Sequence, residues 1–113
     1  MSDAEEKFNG LIKKAASCIQ EGKSDEAIKT WKEALEIDPN NKEIKHNLCV
    51  IHYNLALKWL TFFTHGPSYH NAYDQIMKAL KYEPDDMDAQ NMRKDLEGKL
   101  RGTSYEYVID KYR

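Results

Sequence analysis

Apolar residues recur along the chain at steps of three and four, and Gly or Pro interrupts the pattern at a few places. That spacing predicts five helices. The first carries Phe8, Leu11, Ile12, Ala15 and Ile19; Ser2 and Glu5 form a capping-box pattern before it, and Gly22 supplies a left-handed stop. The second carries Ala27, Ile28, Trp31, Ala34 and Leu35, with Ser24 expected as its cap and Asp25 and Glu26 in its first turn, where the helix dipole favours negative charge. Pro39 stops it. Asn40 or Asn41 caps a third helix through Ile44, Leu48, Ile51, Leu55, Trp59 and Phe62. Nothing breaks it before Gly66-Pro67, so it spans some twenty residues, roughly 30 Å.

Ser68 is placed to cap a fourth helix carrying Ala72, Ile76, Met77, Ala79 and Leu80, which Pro84 ends. Asp85 and Asp86 open a fifth, whose apolar stripe (Ala89, Met92, Leu96, Leu100) is narrow, as expected of a helix that closes a stack and shows its outer face to water. After Gly102, Thr103 and Glu106 repeat the capping-box pattern ahead of Tyr105, Val108, Ile109 and Tyr112. A short amphipathic helix and an extended aromatic strand both fit this tail.

The pattern repeats. Ala34-Leu35 precedes Pro39 at the same offset as Ala79-Leu80 precedes Pro84. A module written twice implies a fold built by stacking, working through its surfaces. The prolines are 45 residues apart, longer than a plain helix-pair repeat of about 34.

Composition narrows the choice of function. The 113 residues suffice for one domain, and 17 basic against 19 acidic residues leave a net charge of −2. That balance gives no electrostatic case for nucleic acid or an anionic membrane surface. The apolar stretch near Leu55–Phe63 is broken by Lys58 and too short to span a bilayer, so no membrane insertion is expected. The acidic N-terminal segment has no apolar run of the secretory kind. Cys18 and Cys49 stand apart without a CxxC, which suits a reducing compartment, and the expected location is cytoplasmic.

From Phe8 to Asn41 the chain resembles a tetratricopeptide repeat. Ala15, Ala27 and Ala34 occupy the family's small positions, Trp31 its large aromatic one, and Pro39 ends the unit. A second unit reads through Asn47-Leu48-Cys49, Tyr53, Ala72, Ile76, Ala79 and Pro84, with Cys49 in place of the usual Gly or Ala. The resemblance covers roughly Phe8 to Leu100. It implies an all-α fold of antiparallel helix pairs stacked as a short right-handed superhelix. The organisation expected is a repeat domain over 1–102 (repeat one 8–41, extended repeat two 42–86, capping helix 87–101), followed by an aromatic tail over 103–113. Ala15 to Ala27 is 12 residues but Cys49 to Ala72 is 23, so the second unit carries 11 extra residues. These are close to three helical turns and lengthen the third helix without losing phase.

The resemblance also implies a binding groove lined by the first helix of each pair: Asn9, Ile12, Ala16, Glu43, His46, Asn47, Val50, Tyr53 and Asn54, with Asp88 and Asn91 at its far edge. One branch of the family holds acidic chaperone tails with a Lys, Asn and Arg clamp. Asn47 fits that clamp, but Ile12, Ala16, Asp88 and Met92 stand at its other positions, and Asp88 repels a carboxylate. The groove suits a mixed apolar or basic peptide. A second expected surface is the apolar end of the extended helix, Leu57, Trp59, Leu60, Phe62 and Phe63. Exposing its large aromatics forfeits about 1.5–3 kcal/mol each, so the chain's own tyrosines, a homodimer or another protein should cover it.

His46, Cys49, His52, His65 and His70 share one unit, yet helical spacing does not bring them together, and no metal site is expected. No phosphate loop, Rossmann fingerprint, G-x-S-x-G or HExxH is present. Acidic pairs such as Asp85-Asp86 are explained by capping. The expectation is a non-catalytic adaptor without cofactors that binds another protein or peptide, with a self-assembling homodimeric subunit as the alternative and a metal carrier as the third reading.

Overall fold

The computed structural model describes residues 2–61 and 66–113, and among them the chain is all-α, with no strand. Six helices follow one another: α1 (Asp3–Gln20), α2 (Ser24–Ile37), α3 (Lys42–Thr61), α4 (Tyr69–Tyr82), α5 (Met87–Leu100) and α6 (Tyr107–Lys111). Helices α1 and α2 pack as a pair, and so do α4 and α5.

Local chemistry accounts for the helix ends. The Ser2 hydroxyl accepts from the Glu5 N–H at 3.2 Å, Asn41 Oδ1 from the Ile44 N–H at 2.9 Å, and Asp86 Oδ2 from the Ala89 N–H at 2.9 Å. Each satisfies an amide that the first helical turn would otherwise leave unpaired. The expected Ser24 cap is corrected: Lys23 is the cap residue, Ser24 is already helical, and no side chain closes that end. The tight α1–α2 turn, with Gly22 at φ 74, brings the Lys23 N–H back to the Cys18 carbonyl at 2.8 Å and leaves no extended residue for a hydroxyl cap. Ser68 does precede α4, but its hydroxyl accepts from the Asn71 side chain at 2.9 Å and not from the backbone.

The chain divides into two compact units, Met1–Leu48 and Cys49–Arg113, the division falling within α3. In the first unit Leu11, Ala15 and Cys18 of α1 and Ala27, Thr30, Trp31 and Ala34 of α2 are buried, as are Ile44 and Leu48. The three alanines have no exposure at all, which lets the helices approach closely. Thr30 is buried without an unpaired hydroxyl because it donates to the Glu26 carbonyl at 2.8 Å.

The core of the second unit is Ala56, Ala72, Tyr73, Ile76, Ala89, Leu96, Leu100, Val108 and Ile109. Among the described residues α3 reaches twelve residues past Cys49, whereas α1 reaches five past Ala15, so about two turns of the extra segment lengthen the helix.

The tail is helical and docked. Gly102, at φ 81, turns the chain, and α6 buries Val108 and Ile109 against α4. Thr103 and Glu106 sit before α6 without forming the expected capping box. The Thr103 hydroxyl donates to the Leu100 carbonyl at 2.6 Å and accepts from the Tyr105 N–H, while Glu106 accepts from the Gly102 N–H. Beyond α6 the Tyr112 hydroxyl donates to Asp74 Oδ1, Lys111 pairs with the same oxygen at 3.3 Å, and the Tyr112 ring meets Tyr73 edge-on.

Candidate functional site

Residues expected to line a groove lie at or near the surface. In the first unit Asn9, Ala16, Glu43 and His46 are exposed, and Ile12 and Asn47 are half-buried. In the second unit Val50 and Asn54 are exposed, Tyr53 is half-buried, and Asp88 and Asn91 are exposed on α5. Val50 is a β-branched apolar side chain 42% exposed, on a helix that also carries the fully buried Ala56. Tyr53 packs on the edge of the core, and burial, then the charge of Asp88 and Asp86, raises its phenol above the ordinary range.

The apolar end of α3 is more self-contained than its sequence suggests. Trp59 and Leu60 pack against the core of their own unit, in company with Tyr69, while Leu57 is exposed. The Trp59 carbonyl also accepts from the Ser68 N–H at 2.8 Å, joining the end of α3 to the start of α4. Phe62 and Phe63 lie outside the described residues, as does His65.

Among the described residues the histidines form no cluster of metal-ligating groups. His52 is buried, its Nδ1–H donating to Gln75 Oε1 at 2.8 Å and its ring parallel to Tyr82. His70 stacks on Tyr105 with ring centroids 4.0 Å apart. Instead, Cys49 meets two carboxylates that the sequence reading did not pair with it. Its sulfur and single oxygens of Glu83 and Asp86 all lie within 4.8 Å of one another. Glu83 is 34 residues from Cys49 within the same extended repeat, and no local signal pairs them.

Burial, the Asp86 and Glu83 charges and a hydrogen bond to Glu83 push the Cys49 thiol up to about 12. At neutral pH it is therefore a neutral donor and a poor nucleophile. The three donors are of kinds that can ligate a soft divalent ion, but Asp86 already spends one oxygen on the Ala89 amide. Its place at the positive end of α5 further opposes a cation. A protonated thiol held between carboxylates satisfies the group without metal.

Comparison with known proteins adds one finding. The family model described as TPR repeat matches residues 16–57, which span α2 and most of α3. No curated protein and no solved structure matches the chain. Such repeats generally mediate protein–protein interaction. The repeat match over residues 16–57, with the all-helical chain of neighbouring packed pairs, fits a tetratricopeptide-repeat protein.

Proposed function

We infer that the chain is a non-catalytic adaptor that holds a partner protein or peptide through exposed residues on the first helix of its repeats. In the first unit these are Asn9, Ile12, Ala16, Glu43, His46 and Asn47; in the second, Val50, Tyr53 and Asn54. The observation that carries this reading is the exposure of Val50 beside half-buried Tyr53 on a helix that the repeat model matches. Apolar anchors between polar neighbours are the usual composition of a peptide-binding face. Trp59 and Leu60 already pack on their own core, which shifts the expected anchor from the end of α3 to this face. The protein family typically works without catalysis.

The test is selection of binding peptides from a random displayed library against the immobilised protein, followed by solution titration of the selected sequences. Val50→Asp and Tyr53→Ala should each weaken a selected peptide about tenfold, the loss expected of a truncated anchor, with helicity unchanged. A library that yields nothing above an unrelated helical control, or peptides indifferent to both substitutions, defeats the reading. Light scattering on the same sample reports whether a homodimer forms in place of a partner complex.

A further inference from the structure

Residues 103–113 cover a face of the second unit without filling it. Val108 and Ile109 of α6 are each 3% exposed and share a core with Tyr73 and Ile76 of α4 and Leu96 and Leu100 of α5. Tyr112, four residues after Val108, sets its ring edge-on to Tyr73 and donates its hydroxyl to Asp74 Oδ1. Lys111 Nζ reaches the same oxygen at 3.3 Å. Burial, then the bond to Asp74, holds the Tyr112 phenol far above its ordinary range, so it remains a donor at neutral pH.

Beside these contacts lies a recess of about 400 Å³, lined by Met77 and Leu80 of α4, Arg93 and Glu97 of α5, and Ile109 and Tyr112 of the tail. Glu97 is already engaged, accepting from the Tyr73 hydroxyl at 2.7 Å and pairing with Arg93 at 3.2 Å. Met77 and Leu80 are only half-buried, so the apolar surface continues past the part that α6 covers. The recess therefore suits one more apolar side chain.

The hold of the tail on this face is slight. Helix α6 has five residues, well short of the roughly 12 at which a helix becomes marginal in water, so it exists only while docked. It follows Gly102, at φ 81, and residues 101–105 ahead of it are all exposed. Two buried side chains and one polar anchor must offset the ordering of the whole segment, which puts its opening at the low-cost end of motions in the fold. A longer helix that filled both the footprint of α6 and the recess would gain more apolar contact than the tail does.

We propose that residues 103–113 are a resident ligand: the α4–α5 face beneath them docks a partner helix that carries two adjacent β-branched residues, a tyrosine three positions on and a further apolar side chain for the recess, and that displaces the tail. Asp74 selects the tyrosine through its hydroxyl, as it does in the tail. The docked tail lowers the apparent affinity for a partner by the fraction of faces that stand open. This face shares no residue with the adaptor face proposed above and does not depend on it.

The test is fluorescence anisotropy of the full chain with a labelled peptide of residues 103–113. The wild type should bind it weakly, because its own tethered tail competes. Val108→Asp with Ile109→Asp in the chain expels the tail and should tighten peptide binding at least about tenfold. Adding Asp74→Asn should remove about fivefold of that gain, and a peptide carrying Val108→Asp and Ile109→Asp should not bind. Arg113 also lines the recess, so a peptide with Arg113→Leu should bind about threefold more tightly than the natural one.

A tail-expelled variant that keeps its helicity by circular dichroism yet gains no affinity overturns the inference. So does binding that survives the double aspartate change in the peptide, since the apolar pair would then not be the contact. No gain from Arg113→Leu overturns the longer footprint by which a partner outcompetes the tail. Should the double variant unfold, hydrogen exchange on the wild type decides: amides of Tyr107–Lys111 that exchange at least about 100-fold faster than those of Ile76–Ala79 support a tail that opens by itself, and equal protection overturns it.

Discussion

Replacing Cys49 by alanine should flatten the alkaline edge of the stability curve. The thiol is 2% exposed and faces Glu83 and Asp86, which together with burial move it from 9.0 to about 12 in the folded chain. The unfolded chain ionises from pH 9 upward while the folded chain keeps the proton. Over that window the unfolded state binds fewer protons, so stability falls as pH rises, at up to about 1.4 kcal/mol per pH unit. Below pH 9 the contribution is complete. At pH 10 the loss from this one group works out at about 1.4 kcal/mol.

The assay is urea unfolding followed by far-ultraviolet circular dichroism at pH 7 and pH 10, for the wild type and Cys49→Ala. Alanine fits a position the family fills with small residues, and the buried tyrosines that also titrate late are present in both proteins, so their effect cancels. The wild type should lose about 1.4 kcal/mol more than the variant between the two pH values. Equal losses would mean that the thiol ionises in the folded chain as it does in water, and the carboxylate-flanked, protonated Cys49 described above would be refuted.

Two further outcomes test the packing of the second unit. Tyr112→Phe removes the hydroxyl that donates to Asp74 and should cost about 1 kcal/mol, seen as faster amide exchange across Tyr107–Lys111; unchanged exchange would show that Val108 and Ile109 alone hold α6. Trp59→Ala should lower stability by about 2 kcal/mol, part of the cost of a fully buried tryptophan, because the ring packs on its unit's core. An unchanged melting temperature would show that the ring adds nothing to its unit's core.

Five of the six helices and most of their boundaries were legible because they depend on local chemistry. Steps of three and four, together with Gly22, Pro39, Pro84, Asn41 and Asp86, act within a few residues of where they stand, and the observed caps at Asn41 and Asp86 follow them. Ser24 was misread as a cap because a serine before acidic residues looks the same whether it precedes a helix or begins one. Only the backbone path through Gly22 and Lys23 separates the two. The alanines at 15, 27, 34 and 79, which the resemblance placed in its repeat pattern, are all fully buried.

Long-range pairing was decided by the tertiary structure. Nothing local distinguishes an extended tail from a docked helix: Tyr112 needs Asp74, and Val108 and Ile109 need α4, before α6 is worth its ordering entropy. Trp59 reads as an aromatic that its own chain, a second copy or a partner must cover, and the structure packs it, half-buried, against its own unit's core, because a periodic stripe says which side of a helix is apolar and not what covers it. Cys49 reads as a small packing residue until the chain returns at the end of α4 with Glu83 and Asp86. The sequence by itself determined the first five helices, their order and the repeat that pairs them, since backbone hydrogen bonds and side-chain size act locally. Which polar and aromatic groups meet, and with what charge, was decided only where segments 34 to 38 residues apart came into contact, as in the Cys49–Glu83 and Asp74–Tyr112 pairs.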